Sequence, residues 1–161
     1  KRKRTTGIMR IIDFLDVRAI DDDIRASNKP GVLRELVGLA MKTEPDLDPN
    51  ILVETLTRRE KLQSTGIGNG VAMPHGRTAN VPRIIGCIAR SRAGVDFQSL
   101  DGEPTHLFFT LFIPENAEGL HLKSLARLSR LLKIPHLREQ LMTANDAAEM
   151  YTIIASEDAK L

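Results

Sequence analysis

The sequence predicts an α/β fold in which one sheet is covered by helices on both sides. Three observations carry this expectation. The elements run strand, two helices, two or three strands, then three helices, an order that a single helix-flanked sheet accommodates. Residues 105–113 end in Leu-Phe-Phe-Thr-Leu-Phe-Ile, apolar on both faces as a doubly covered strand must be. Residues 121–133 place Leu122, Leu125, Leu128 and Leu132 on one helical face, with Lys123, Arg127, Arg130 and Lys133 outside it.

Each element has its own signal. Residues 1–8 read as a basic tail and residues 9–161 as a single domain. Residues 9–20 mix apolar pairs with Asp13, Asp16 and Arg18, which predicts a short strand followed by a turn. Asn28 to Gly31 reads as a helix start. Pro30 sits in the first turn, where a missing N–H costs nothing, and Leu33, Leu36, Val37, Ala40 and Met41 share a face. Asp48-Pro49 repeats the signal for a second helix with Ile51, Leu52, Thr55 and Leu56, ending near Arg58-Arg59-Glu60. Residues 65–77 hold four glycines, too many for a regular helix, and are expected as a loop. Strands follow at 83–90 and 105–113, the second stopped by Pro114. After the Leu-rich helix, Pro135 starts another to about residue 143, and Asp146 a last one to about residue 156.

Composition excludes several function classes. Of 161 residues, 23 are Lys or Arg and 21 Asp or Glu, a formal charge of +2. Four of the basic residues are Lys1 to Arg4; without them 19 face 21, and the body carries −2. A general nucleic-acid binder needs a basic face, and a base-stacking platform needs more than six aromatic residues, so neither is expected. No stretch approaches the ~20 apolar residues that span a bilayer. Asp13 and Asp16 interrupt any signal core behind the basic start, so a cytoplasmic protein without membrane insertion is expected. Cys87 is the single cysteine, which excludes an internal disulfide and a cysteine-based zinc site. The histidines at 75, 106, 121 and 136 match no local metal motif. No metal or cofactor is expected.

The glycine-rich run invites three readings. A nucleotide P-loop fails because no Gly-Lys-Ser/Thr closes it. A dinucleotide fingerprint fails because Gly66, Gly68 and Gly70 are spaced Gly-x-Gly-x-Gly and lead into Met73-Pro74. The third makes His75 the reactive group. A neutral imidazole offers one nitrogen lone pair to phosphorus, and a hydrogen bond at the other nitrogen selects which. Pro74 restricts the backbone before it, while Gly68, Gly70 and Gly76 let backbone N–H groups approach an anion. A structural turn with an incidental histidine is the alternative.

Arg59-Glu60, followed by Ser64-Thr65-Gly66-Ile67-Gly68-Asn69-Gly70-Val71-Ala72-Met73-Pro74-His75-Gly76-Arg77, resembles a known signature. It is the phosphorylation site of the fructose/mannitol-class enzyme IIA domains of the bacterial phosphotransferase system, and the Thr-Gly-Ile-Gly-Asn-Gly form is most similar to their nitrogen-regulatory branch. Asp101-Gly102-Glu103-Pro104, Pro114-Glu115 and His121-Leu122 extend the resemblance over nearly the whole chain. It implies a three-layer α/β/α fold with a small mixed sheet, and phosphate carriage without metal or nucleotide. It implies that His75 is the phosphohistidine, that His121 is a second histidine holding the phosphate, and that Arg59 is the arginine at the site's edge. His121 could instead cap or pack at a helix start, and Arg59 could be a surface cation near a helix end.

The implied phosphate donor is an HPr-type carrier or its nitrogen-branch counterpart. Two phosphate-based functions follow. One is regulation of partner proteins by phosphorylation state; the other is transfer onward to a sugar-specific IIB domain. No IIB or membrane segment lies within these 161 residues and the loop is closer to the nitrogen branch, so regulation is favoured. A third function is a non-phosphorylated interaction module on the same fold.

Overall fold

Short polar side chains start three of the helices. Asn28 Oδ1 accepts from Gly31 N at 2.8 Å ahead of α1 (Lys29–Thr43), and Asp48 Oδ1 from Asn50 N at 3.0 Å ahead of α2 (Pro49–Leu62). Each bond satisfies an N–H that the first helical turn leaves without an intrahelical partner. The structure is a computed structural model and describes residues 9–117 and 119–161, apart from the side chains of Leu120 and His121. The tail read at residues 1–8 lies outside the described residues.

The sheet has six strands: β1 (Leu15–Asp21), β2 (Gly66–Gly68), β3 (Val71–Ala72), β4 (His75–Thr78), β5 (Ile85–Val95) and β6 (Thr105–Pro114). Their order is β1-β5-β6-β3-β2, with β4 also paired to β6. The sheet is mixed, since β6 runs antiparallel to β5 and parallel to β3 and β4. Strand periodicity divides β6 between two cores. Leu107, Phe109, Leu111 and Ile113 pack on one side with α3 (Leu120–Leu132), α4 (Pro135–Thr143) and α5 (Ala147–Asp158). Phe108 and Phe112 pack on the other with α1 and α2. The three α/β/α layers follow directly from that alternation. Asp146 caps α5 by accepting from Glu149 N at 2.9 Å, and Cys87 is buried opposite Thr110 in the β5–β6 pair. Burial pushes the Cys87 thiol well above its ordinary pKa.

Three expectations need correction. The first strand does not begin at residue 9. The Asp13 carboxylate accepts from Arg10 N at 2.8 Å and closes a 3-10 turn, Ile11–Asp13, so β1 starts at Leu15. The fifth strand runs past residue 90 because Arg90, polar by type, is completely buried with backbone partners. Its Nη1 donates to Leu141 O at 2.6 Å and Ala144 O at 2.9 Å around the end of α4, and Nε donates to Asp22 O at 2.8 Å. The guanidinium thus meets the negative pole of a helix rather than a carboxylate. Desolvation, with Arg92 nearby, lowers its pKa.

The Leu-rich helix also departs from its pattern. Arg127 turns inward, its Nε 2.5 Å from the buried Asp158 carboxylate, which also accepts from Ile11 N at 2.6 Å. Leu122 turns outward and is 63% exposed, too much for a core residue. Replacing Arg90 tests the first of these buried polar devices. Arg90→Leu strands the buried carbonyls of Leu141 and Ala144 at about 1–3 kcal/mol each before relaxation, so the thermal midpoint should fall by roughly 5 °C or more. An unchanged melting curve would mean that α4 ends without help from this side chain.

Candidate functional site

β4 is four residues long and starts at His75. Pro74 fixes the backbone just before it, and Pro74 O accepts from Leu111 N at 3.2 Å, which seats the strand on β6. His75 Nδ1 lies 2.7 Å from Met73 O. A carbonyl oxygen can only accept, so Nδ1 carries the proton and Nε2 carries the lone pair. The ring is half-buried, which restricts its motion while leaving it open to a partner.

Gly76 sets how closely α2 approaches. A Cβ there would lie 2.5 Å from Thr55 Cγ2, closer than atoms can pack, so only glycine allows this contact. Thr55 itself donates its hydroxyl back to Ile51 O at 2.8 Å. With the floor of the site so fixed, residues 55, 58, 59 and 62 of α2 share the helical face that looks toward β4. They and α3 bound a cleft of about 430 Å³ that contains His75.

The cleft is cationic with an apolar lip. Arg58, Arg59 and Arg77 line it. Arg59 Nη1 donates to Gln63 O at 2.8 Å, at the C-terminus of its own helix, and Arg77 Nη2 donates to Glu115 O at 2.5 Å. Both are held by neutral carbonyls, so both keep their charge available for an anion. Arg58 instead pairs with Glu54 at 3.3 Å in the open. Leu62, Leu122 and Leu125 complete the wall, and the first two are 80% and 63% exposed, unusual for leucine.

Behind Arg59, the carboxylate of Glu60 is buried. It pairs with Lys29 Nζ at 2.9 Å, accepts from Thr65 N at 3.2 Å and takes the Thr65 hydroxyl as well. Lys29 in turn stacks 4.5 Å over the Phe97 ring. This network ties the end of α2 to α1 and to the entry of β2, and so fixes where Arg59 can be.

The structure brings His75, Gly76 and Arg59 together, but not Gly68 or Gly70. The glycine-rich run is no loop around the histidine. Residues 66–72 form a hairpin whose Asn69 and Gly70, at φ 58° and 76°, make a left-handed type I′ turn. Gly68 also has positive φ, at 100°. Val71 pairs with Leu107 but His75 with Leu111, which puts the hairpin about 13 Å from the histidine along β6. Its glycines serve the turn, and Gly70 O anchors it by accepting from His106 N and Leu107 N at 2.8 and 2.9 Å. His121 is the second residue of α3, and its side chain lies outside the described part of the structure. His106 points its Nδ1 at Ser91 O, 2.8 Å away, and His136 faces Glu157 at 2.9 Å; neither lines the cleft.

A family model described as "Phosphoenolpyruvate-dependent sugar phosphotransferase system, EIIA 2" matches residues 13–157. The chain belongs to this EIIA family. A nitrogen regulatory protein of Bradyrhizobium diazoefficiens is 37% identical over 147 residues, 91% of this chain and 95% of that protein. The fructose-specific EIIABC component of Bacillus subtilis is also 37% identical over 150 residues, 93% of this chain but 24% of that longer protein. Among solved structures, the nitrogen regulatory protein IIA-Ntr of Neisseria meningitidis superposes with a TM-score of 0.82 at 39% identity, over 88% of this chain and 97% of that one. As an EIIA domain the protein is a phosphotransferase component.

Proposed function

We propose that the protein is a phosphohistidine carrier in which His75 Nε2 accepts a phosphoryl group from a histidine-phosphorylated HPr-type protein. The observation that carries this reading is the 2.7 Å approach of His75 Nδ1 to Met73 O, which assigns the lone pair to Nε2. That lone pair attacks phosphorus, and the P–N bond of the donor breaks as the new one forms. The bonding electrons return to the donor's imidazole. No proton has to move. The product ring carries a positive charge, which makes Nδ1–H a stronger donor to Met73 O. Arg59, and His121 as the resemblance implies, hold the phosphoryl oxygens.

The phosphorylation state regulates partner proteins, a role in keeping with the names of the Bradyrhizobium and Neisseria relatives. A cytoplasmic site of action goes with it; among the described residues no helix is long and apolar enough to cross a membrane. The equal identity to the Bacillus fructose component supports a second reading, onward transfer to a sugar-specific IIB domain.

Incubation with phosphorylated HPr-type carrier, followed by intact mass, should show one added phosphoryl group. Nitrogen-resolved NMR should place it on Nε2. Label on Nδ1 would contradict the mechanism. Transfer from the labelled protein to a fructose-type IIB domain would favour transport over regulation. Arg59→Gln should slow labelling by about 10-fold or more, the loss expected of one charge-assisted hydrogen bond of about 1.5–3 kcal/mol. Wild-type rates in that variant would leave Arg59 as a helix-end cation only.

A further inference from the structure

We propose that Arg77 is a second phosphate-binding residue. In taking hold of the phosphoryl group on His75 it releases the Glu115 carbonyl, and so loosens the connection between β6 and α3. The proposal rests on the phosphocarrier reading of His75 and extends it to how the bound phosphate is sensed elsewhere on the surface.

The placement follows from strand geometry. Side chains alternate along β4, so Gly76 faces Thr55 on α2 while His75 and Arg77 share the other face, with Cα atoms roughly 7 Å apart. Both line the same cleft. An arginine side chain is long enough to span that separation, and its planar fork suits phosphate oxygens. Arg77 is exposed and forms no ion pair among the described residues. Among the described residues, it alone of the three cleft arginines bridges two elements. Arg59 holds the end of its own helix, and Arg58 pairs with Glu54 one turn away.

What Arg77 holds is the start of the connection. The last β4–β6 pair is Thr78 with Pro114. Beyond it, Glu115 is tied back to β4 by two bonds, Glu115 N to Thr78 O at 3.1 Å and Arg77 Nη2 to Glu115 O at 2.5 Å. Ala117 N then turns back to Pro114 O at 3.1 Å. Gly119 precedes α3 at φ 62°, and its carbonyl accepts from Lys123 N at 3.1 Å. His121 and Leu122 follow immediately.

Phosphorylation changes the competition for this guanidinium. A peptide carbonyl is a neutral acceptor, whereas the phosphoryl group brings nearly two negative charges and three acceptor oxygens. Hydrogen bonds to such a charged acceptor are roughly twice as strong as those to a neutral one. Arg77 therefore leaves Glu115 for the phosphate. The charge added at His75 is thereby converted into freedom of residues 115–117, near the exposed Leu122 of the cleft lip. A partner that docks on this lip meets a different surface in the two states.

Amide hydrogen exchange on the full chain tests this, with phosphorylated HPr-type carrier as donor and intact mass to confirm loading. In the wild type, amides of residues 115–121 should exchange several-fold faster after phosphorylation, while those of β5 and β6 stay unchanged. In Arg77→Gln the same segment should exchange fast in both states, and its phosphohistidine should hydrolyse several-fold faster. Arg77→Lys, which keeps the charge but not the fork, should fall between. Loaded wild-type protein with unchanged exchange at 115–121, or an Arg77→Gln phosphohistidine as long-lived as the wild type, would overturn the proposal while leaving the carrier function intact. Failure of the wild type to load at all would instead remove the carrier reading, and this proposal with it.

Discussion

His75→Gln should abolish phosphoryl acceptance while leaving the thermal midpoint nearly unchanged. Glutamine can still donate to Met73 O, the contact that the Nδ1–H makes at 2.7 Å, but its amide has no lone pair basic enough to attack phosphorus. The surrounding charge shows why the site suits the product. One phosphate charge 5 Å from a guanidinium gains about 3 kcal/mol at an effective dielectric near 20, before desolvation. Arg59 and Arg77 stand in the same cleft without a carboxylate partner among the described residues. That gain is absent when no nucleophile delivers the phosphate. Labelling of His75→Gln at the wild-type rate would remove His75 from the mechanism. By the same logic His121→Ala should still bind the donor but transfer slowly, a split readable as a falling turnover at constant affinity.

Gly76→Ala should damage stability and activity together. The added methyl meets Thr55 Cγ2 at 2.5 Å, and Thr55 O at 3.4 Å leaves it little room to slide. Overpacking of this kind costs about 1–3 kcal/mol, which lowers the midpoint of a domain this size by roughly 2–12 °C. Relief comes from moving α2 away from β4, and α2 carries Arg58, Arg59 and Leu62 with it. The labelling rate should therefore fall by more than the stability loss explains. Thr55→Ser removes the clashing methyl and keeps the hydroxyl, so Thr55→Ser/Gly76→Ala should recover most of both losses. A non-additive cycle is the signature of direct contact; full additivity would place the origin of the damage elsewhere.

The parts of the fold that were legible in the sequence were those decided by local chemistry. Asn28, Asp48 and Asp146 start helices because each offers an oxygen at the right distance from an N–H, and the apolar run in β6 has no place except between two layers. The parts that were not legible depend on partners far along the chain. Arg90 reads as a strand end until the carbonyls of Asp22, Leu141 and Ala144 surround it, and Arg127 reads as solvated until Asp158 meets it. The hairpin at Asn69-Gly70 was legible in principle, since that dipeptide is the strongest two-residue turn signal. Seven residues with three glycines masked it as a loop.

In the site, His75 and Arg59 could be read from a motif. The rest of the cleft could have been read from periodicity alone: 55, 58, 59 and 62 lie on one face of a helix, and 75 and 77 on one face of a strand. Which leucines stay exposed could not, because Leu122 and Leu125 look alike in the helical pattern although only Leu125 packs against the core.

The buried thiol of Cys87 gives the protein a built-in clock. It sits on β5 and faces the core under α1 and α2, 1% exposed, with no second cysteine to exchange with. A thiol reagent can reach it only when the α1/α2 layer parts from the sheet, so its labelling half-life measures the opening of this core. Compared between the phosphorylated and unphosphorylated forms, that half-life would tell whether charge at His75 stays at the sheet's edge or is felt at its centre, with no engineered probe.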